Sequence, residues 1–515
     1  MSTVPTVPAI GIDLGTTFSA VARLDDLGRP QTLINAEGDK ITPSVVFFEG
    51  TNVVVGKEAV KAIATDAKEV AECAKRDLGM RMFHKNLGGR QYPPEALQAF
   101  ILNKIRVDSQ KQIGDFTKVV ITVPAYFDEI RRKATQDAGY MAGFEVMDII
   151  NEPTAAAVAF GFSQGYMKGD GGDKPRNILV YDLGGGTFDV TVMEIKGTDF
   201  NALATDGDVQ LGGRDWDQRL VDYVAEEFIR KYGIDPREEP NTAGRLWREC
   251  EDAKRTLSAR VKTQIACDYK GNAVRVEVTR EQFEQMTQDL LDRTAFTTRQ
   301  TLQAAGLQWA DVDRVLMVGG STRMPSVIES MRKLSGKEPD CSVSPDEAVA
   351  HGAALHAGLL LSKYAGKSPN FKIRNVNSHS LGVVATDATT NRKRNAIVIP
   401  RNTPLPVTAK RVFKTQKVGQ KSILVQIVEG ESMSPEDCSQ LGKCAVHDLP
   451  PDLPVQSPIE VRFRYEENGR LTVMVQVNNS EKLMKTELAR ENSLTTDQLN
   501  SWRKYICGMA PANIA

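Results

Sequence analysis

A short motif occurs twice in this chain, and its two copies restrict the fold more than any other feature. An apolar strand start, Ala9-Ile10, runs into Gly11-Ile12-Asp13-Leu14-Gly15-Thr16-Thr17. A second strand, Asn177-Ile178-Leu179-Val180-Tyr181, runs into Asp182-Leu183-Gly184-Gly185-Gly186-Thr187. The aspartates of the two Asp-Leu-Gly triplets, 13 and 182, lie 169 residues apart. A strand precedes each copy and a β-rich segment follows it. Self-similarity at that distance implies two related lobes, because solenoid repeats recur every 20–50 residues or so.

The intervening and following pattern is α/β. Lys118–Val123 reads as a buried strand ending at Pro124, and Arg131–Gly143 as a helix closed by glycine. Val315–Val318 is another buried strand that empties into Gly319-Gly320-Ser321. Ser344-Pro345-Asp346-Glu347 predicts a helix start with Ser at N-cap, Pro at N1 and Glu at N3, the helix running to about Lys363. Near Gly366-Lys367-Ser368-Pro369 the texture changes, as expected of a linker. Alternation then takes over. Ile423–Val428, Val461–Tyr465 and Leu471–Val477 read as strands, with Asn468-Gly469 as a type I′ hairpin turn between the last two. From Thr495 onward there is room for one short helix.

At 515 residues more than one domain is expected. Lys plus Arg (65) nearly cancels Asp plus Glu (66), so composition makes no case for a nucleic-acid or membrane-surface partner. The seven cysteines are odd in number and form no CxxC pair, which favours reduced thiols. Residues 1–8 lack the basic and apolar regions of a signal peptide, and no uncharged apolar run reaches the roughly 20 residues of a membrane span. A soluble cytoplasmic protein is the expectation.

Glycine loops leaving strand ends let backbone N–H groups approach phosphates without an intervening Cβ, and threonine hydroxyls add donors. Gly15-Thr16-Thr17 and Gly184-Gly185-Gly186-Thr187 both fit, although either alone could be a tight hairpin. Asp13 and Asp182 are poised to hold waters of a phosphate-bound Mg²⁺. There is no GxxxxGK[ST] loop and no kinase motif set, so nucleotide chemistry here needs another scaffold.

Five co-linear segments carry a family resemblance. Gly11–Thr17 looks like the first phosphate motif of the heat-shock 70 kDa (DnaK) family, and Val180–Val190 resembles the second. Val318-Gly-Gly-Ser-Thr-Arg-Met-Pro325 resembles its adenosine motif; Val120–Phe127 and Asn151–Ala157 are further signatures. The similarity spans about 9 to 490. It implies an actin-like (ribonuclease H-like) two-lobed α/β ATPase domain at 1–365 and a linker at 366–376. An antiparallel β-sandwich peptide-binding domain would follow at 377–490, and a short helical tail at 491–515.

The implied function is that of an ATP-dependent chaperone for extended hydrophobic segments of unfolded proteins. ATP/ADP and Mg²⁺ are the implied cofactors, with K⁺ as a further candidate; a J-domain protein and a nucleotide-exchange factor are implied partners. The resemblance makes Lys75 the lysine that positions the attacking water, although alone it would read as a solvated surface lysine. Glu152 and Asp189 look like the water-polarising carboxylates, with Thr187 at the γ-phosphate. Gly212 and Gly213 would join the phosphate loops. Glu251, Lys254, Arg255 and Ser258 correspond to adenine and ribose contacts; unaided, they read as a charged helix face. Gly319, Gly320, Ser321, Arg323 and Asp346 would complete the nucleoside pocket. Pro124 and Arg132 resemble a switch that relays nucleotide state. Val383, Phe413, Ile423 and Val425 match the peptide cleft, where spacing alone leaves pocket and sandwich core undecided.

Three departures stand out. Phe371-Lys372-Ile373-Arg374-Asn375 replaces the family's leucine-rich linker ending in aspartate, predicting docking that is weaker or differently built. Asp148 stands where the family carries an arginine that helps receive the J-domain, predicting weak conventional stimulation. The chain ends at Ala515, before most of a helical lid, predicting fast peptide exchange. Two milder ones are Phe18 in place of the usual Asn or Tyr, and Gln416 at an arch position that is often small. Two other readings compete: an actin-fold small-molecule kinase, which would not need the β-domain, and an ATP-binding holdase or co-chaperone with weak or uncoupled hydrolysis.

Overall fold

The computed structural model describes residues 7–168, 174–369, 371–387, 389–415, 417–418, 422–446, 454–466, 471–477, 484–486 and 493–508. Two mixed sheets are built alike. In the first, β1 (Ile10–Asp13) pairs antiparallel with β2 (Phe18–Leu24), which pairs with β3 (Pro30–Thr32). On its other edge β1 runs parallel to β4 (Lys118–Val123), and β4 runs parallel to β5 (Glu145–Asn151). In the second, β6 (Arg176–Leu183) pairs antiparallel with β7 (Phe188–Lys196), which pairs with β8 (Asp199–Asp208). On its other edge β6 runs parallel to β9 (Arg314–Val318). The two Asp-Leu-Gly copies thus occupy matching places, at the hairpin end of a central strand. These central strands are buried almost throughout, which explains their near-continuous apolar sequence.

The second sheet gains a further strand from the linker region: β10 (Lys372–Arg374) lies parallel to β8, Asp199 opposite Lys372 and Asn201 opposite Arg374. The linker is polar in sequence, but it docks through its one aromatic. Phe371 is buried, with its ring centroid 6.0 Å from that of Phe200.

Helices fix the space between the sheets. Among those used below are α1 (Pro94–Ile113), α2 (Glu129–Met141), α3 (Glu152–Ser163), α4 (Gly213–Tyr232), α5 (Pro240–Ala259) and α6 (Ala348–Tyr364). Helix α2 begins at Asp128, whose side chain accepts from the Arg131 N–H, and the chain turns at Gly143 with φ 93°. Small residues let α3 and α6 approach closely. A Cβ on Gly352 would sit 1.8 Å from the Ala155 carbonyl oxygen, and one on Gly11 would sit 2.1 Å from the Ala354 nitrogen. The resulting core joins Ala155–Phe160 of α3 to Val180 and Ala353.

The helix foreseen from Ser344 starts later, at Ala348. Asp346 is drawn off to Arg323 (2.6 Å), while Glu347 bonds Lys40 (3.1 Å) and Thr32 (2.6 Å), so the cap residues form a turn instead.

Beyond residue 376 all described sheet pairing is antiparallel. One sheet has the order β12 (Lys393–Ile399), β11 (Leu381–Thr386), β14 (Ile423–Glu429), β15 (Ser439–Val446). The other runs β13 (Val407–Lys414), β16 (Pro458–Tyr465), β17 (Leu471–Val477), β18 (Met484–Thr486). Their alternating inward residues, among them Ile427, Val461, Phe463 and Val473, make one apolar core. Tyr465 opposes Leu471 as a hairpin requires, while Asn468-Gly469 lies outside the described residues.

Helix α7 (Thr496–Cys507) starts at a Thr495–Gln498 capping box and returns to the first part of the molecule. Ile506 is fully buried there, its carbonyl accepting from Asn103 of α1 (3.2 Å). The Arg90 guanidinium lies 4.5 Å from the Tyr92 ring centroid, 5.3 Å from that of Trp502 and 4.6 Å from that of Tyr505. No disulfide forms among the cysteines, and no described helix is long and apolar enough to cross a membrane.

Candidate functional site

A cleft of about 700 Å³ opens between the two mixed sheets, lined by both glycine loops. The loops are pressed together. A Cβ on Gly185 would meet Thr17 Oγ1 at 2.2 Å, and one on Gly186 would meet Thr16 Cγ2 at 2.3 Å. Gly15 is equally constrained, since a Cβ there would sit 1.9 Å from the Phe18 carbonyl. Gly319 (φ 83°) leaves no room for a side chain beside the Leu183 carbonyl and Asp182. Hydrogen bonds then fix the cradle: the Ser44 hydroxyl donates to Gly15 O (2.8 Å) and Ser321 Oγ to Gly184 O (2.8 Å). The Gly213 N–H also donates to Gly184 O (3.0 Å).

At the floor, strand ends deliver charge. Lys75, in a short 3₁₀ turn at Ala74–Asp77, is only 1% exposed and bonds Glu152 Oε1 at 2.6 Å. Thr122 donates to Asp13 (3.2 Å), and the Tyr126 N–H donates to Asp189 (2.9 Å). Burial pushes the Asp13 carboxyl up to about 7, and neighbouring Glu152 adds to the push while Lys75 opposes it. Asp189 is pushed up to about 7 by burial and then by Glu152. Asp182 is driven well above the usual carboxylate range, again by burial first and then by Glu152 and Asp189. Four carboxylates face one lysine, so the floor is short of positive charge.

A divalent cation suits that deficit. Among the described residues no three His, Cys, Asp or Glu side chains converge to hold a bare ion. Asp13 and Asp182 are carboxylates of this floor that could face a cation keeping its own waters, as Mg²⁺ does.

The outer wall comes from α5 and the turn after β9. Glu251, Lys254, Arg255, Ser258, Gly319, Gly320, Ser321, Arg323 and Asp346 all line the cleft. Their chemistry is unequal. The Lys254 ammonium is committed to Asp217 (2.8 Å) and Gly213 O (2.9 Å), so it braces the start of α4. Arg255 bonds Glu251 (2.5 Å) and lies 5.7 Å from the Phe18 ring centroid, bridging the cleft. Arg323 pairs with Asp346.

Arg76, next to Lys75, was not foreseen. It donates to Gly186 O (2.8 Å) and to both oxygens of Asp215 (3.3 and 2.5 Å), tying the first part of the chain to the second loop. Asp215 in turn accepts from the Gly212 N–H (2.7 Å). Only adjacency to Lys75 could have flagged it.

Pro124 and Arg132, expected from the sequence to form a relay, sit behind the floor. Arg132 reaches Ala125 O (3.1 Å) and Phe127 O (3.1 Å), just after Pro124, and Asn151 Oδ1 (2.7 Å), just before Glu152. From the β-sheets, Glu429 accepts the Glu129 N–H (3.0 Å) and the His379 ring donates to Tyr126 O (2.9 Å). Asp148 is held by His356 (2.7 Å), and Asn375 accepts from Thr154 (3.0 Å).

Val383, Ile423 and Val425 are buried and Phe413 half-buried in the single core between the two β-sheets, with Leu424 facing out. The pairing next to them is incomplete. Strand β11 pairs with β14 only from Leu381–Val383 to Ile427–Glu429. Past that point Val384–Thr386 and Ile423–Gln426 keep partners on their outer sides, but not each other.

The family model described as "Hsp70 protein" matches residues 9–87 and 81–507 of this chain. "Chaperone protein DnaK" of Halobacterium salinarum (strain ATCC 29341 / DSM 671 / R1) is 37% identical over 503 residues. The match covers 96% of this chain and 77% of that protein. The protein of the same description from strain ATCC 700922 / JCM 11081 / NRC-1 gives the same figures.

Proposed function

This chain belongs to the Hsp70 family and is an ATP-hydrolysing chaperone of unfolded polypeptides; on that premise we propose how its own residues divide the work. The observation that carries the reading is the carboxylate-rich, cation-poor floor between two interlocked glycine loops. In this reading residues 1–365 form a two-lobed actin-like ATPase, 366–376 a linker, 377–490 a peptide-binding β-sandwich and 491–515 a helical tail.

ATP lies with its phosphates between Gly15–Thr17 and Gly184–Thr187, whose backbone N–H groups need the glycines' close approach. Glu251, Arg255, Ser258, Arg323 and Asp346 flank the nucleoside, with Lys254 and Ser321 bracing the wall. Asp13 and Asp182 would hold the waters of a bound Mg²⁺, which would neutralise phosphate charge there; K⁺ is a second candidate for the same region. Lys75 and Glu152, locked together, and Asp189 orient the attacking water, and Thr187 meets the γ-phosphate. Phosphoryl transfer of this kind depends on positioning and charge placement, so no covalent intermediate is required.

Pro124 and Arg132 connect this floor to the β-sandwich through Asn151, Glu129 and Glu429. The unpaired inner edges of β11 and β14 offer backbone donors and acceptors to an extended segment. Val383, Phe413, Ile423 and Val425 lie beneath that gap as its apolar base. A J-domain protein and an exchange factor are the expected regulators.

The test is steady-state phosphate release with and without an extended leucine-rich peptide. A low basal rate that rises with peptide supports both sites and the connection between them. Turnover indifferent to peptide removes the coupling, and absence of turnover removes the assigned catalytic roles.

A further inference from the structure

The β-sandwich has two ends. At one, Glu429 closes β14 against Glu129. At the other, where β14 begins, lie the connections β11–β12 and β13–β14. The gap between Val384–Thr386 and Ile423–Gln426 opens toward these two connections. Their composition is one-sided. Residues 386–394 carry one acid, Asp387, and three bases, Arg392, Lys393 and Arg394. Residues 414–423 carry three lysines, Lys414, Lys417 and Lys421, and no acid.

The single acid is already spent. Asp387 pairs with Arg394 (2.9 Å) and accepts the N–H groups of Thr389 and Thr390. Arg392, Lys393, Lys414 and Lys417 are exposed and form no ion pair among the described residues. Among the described residues, Arg392 and Lys393 thus stand unpaired beside Thr386 at the open end of the gap, and Lys414 and Lys417 stand unpaired on the connection that leads into β14, in a chain whose net charge is −1. Next to Lys417, Val418 is 73% exposed, so the rim is apolar as well as basic.

We infer that the sandwich selects extended segments that are apolar where they enter the gap and acidic in the flank that leaves it. The inference rests on the reading of this gap as the peptide site and adds the charge class of the client. An extended strand seated between β11 and β14 satisfies the free inner edges with its backbone; the pairing of Val383 with Ile427 closes the gap behind it, and the flank that leaves through the open end passes the two basic connections. Asp and Glu there meet cations that have no partner, whereas Lys and Arg meet like charge. Selection of this kind acts through exposed charges, so it weakens as salt rises.

The experiment uses the full chain, with and without ATP. Three fluorescein-labelled peptides share one leucine-rich core and carry two acidic, two neutral or two lysine residues on each flank; binding is read by anisotropy. At about 0.05 M salt the acidic peptide binds about tenfold tighter than the lysine peptide, and at 0.5 M the ratio falls below about twofold. The exposed double substitution Lys393→Glu with Lys417→Glu erases or inverts the order while leaving the neutral peptide's affinity unchanged. Equal affinities at low salt, or a preference for lysine flanks, overturn the inference and leave the peptide site standing. Polyglutamate without leucine binding as tightly as the acidic peptide overturns it too, as the rim would then be a mere ion exchanger. Failure of all three peptides to bind removes the peptide site itself.

Discussion

Replacing Lys75 by Met removes the one lysine ammonium from a floor that holds Asp13, Glu152, Asp182 and Asp189. The ammonium is 1% exposed and 2.6 Å from Glu152, so the substitution leaves a buried carboxylate unpaired. Breaking such a pair costs about 3–5 kcal/mol when the orphaned charge is retained. Here the neighbours can relieve it, because Asp13 and Asp189 already titrate near 7. Raised carboxyl values mean that lowering the pH adds protons and removes the repulsion Lys75 opposes. In metal-free buffer the destabilisation by Lys75→Met is therefore close to the upper figure at pH 8 and shrinks towards pH 6. With ATP and Mg²⁺, loss of a preorganised positive group at the reacting phosphate lowers kcat by about 10²–10³, roughly 2.7–4 kcal/mol. The assays are chemical denaturation at the two pH values and phosphate release at saturating ATP. Adding Glu152→Gln completes a double-mutant cycle, in which the pair shows a coupling of at least about 1 kcal/mol. A kcat within threefold of the parent, or a destabilisation that grows as pH falls, would refute this account of the floor.

Arg76→Ala removes three charge-assisted hydrogen bonds that join the first part of the chain to Gly186 and Asp215. ATP affinity should fall about tenfold with kcat less affected, given about 1.5–3 kcal/mol for bonds to charged groups; an unchanged Kd by calorimetry counts against it. Phe371→Ala empties the contact with Phe200, so amides 372–374 should lose hydrogen-exchange protection and peptide stimulation should vanish at intact basal turnover. Stimulation that survives would separate β10 from coupling. Ile506→Ala deletes a fully buried anchor, at about 2–5 kcal/mol, enough to release α7 and raise exchange across 496–507. Burial, and then Asp128, hold the Glu429 carboxyl well above its usual range, so docking of the sandwich takes up a proton. Docking should weaken as pH rises above the ordinary carboxylate range, and Glu429→Gln should flatten that dependence in a two-dye distance assay.

Much of this was legible because it is local. The Asp-Leu-Gly loops, the strand Lys118–Val123 and the paired strands read at Val461–Tyr465 and Leu471–Val477 are set by short-range patterning, and they lie where the pattern put them, the first of that pair starting earlier, at Pro458. The shortfalls involve partners distant in sequence. Lys75 looks like a surface lysine until Glu152, 77 residues on, is brought to it. Nothing near Lys254 announces Asp217, and nothing near Arg76 announces Asp215. The helix start at Ser344 shifts to Ala348 because Arg323, Lys40 and Thr32 outbid the local cap. Spacing could not separate pocket from core for Ile423 and Val425, since both need one apolar face, whereas the missing rungs between β11 and β14 follow from tertiary register.

Strand β10 has only three rungs. Phe371 and Ile373 share its apolar face, and Lys372 and Arg374 the other. A slip of one residue would turn both cations into the apolar interior, and a slip of two would leave one rung. Partial engagement is therefore not a state the connector can hold: it is either seated in the sheet or gone. Intermediate turnover measured on many molecules then reports the proportion of two populations, and a single molecule followed in time should switch rather than drift.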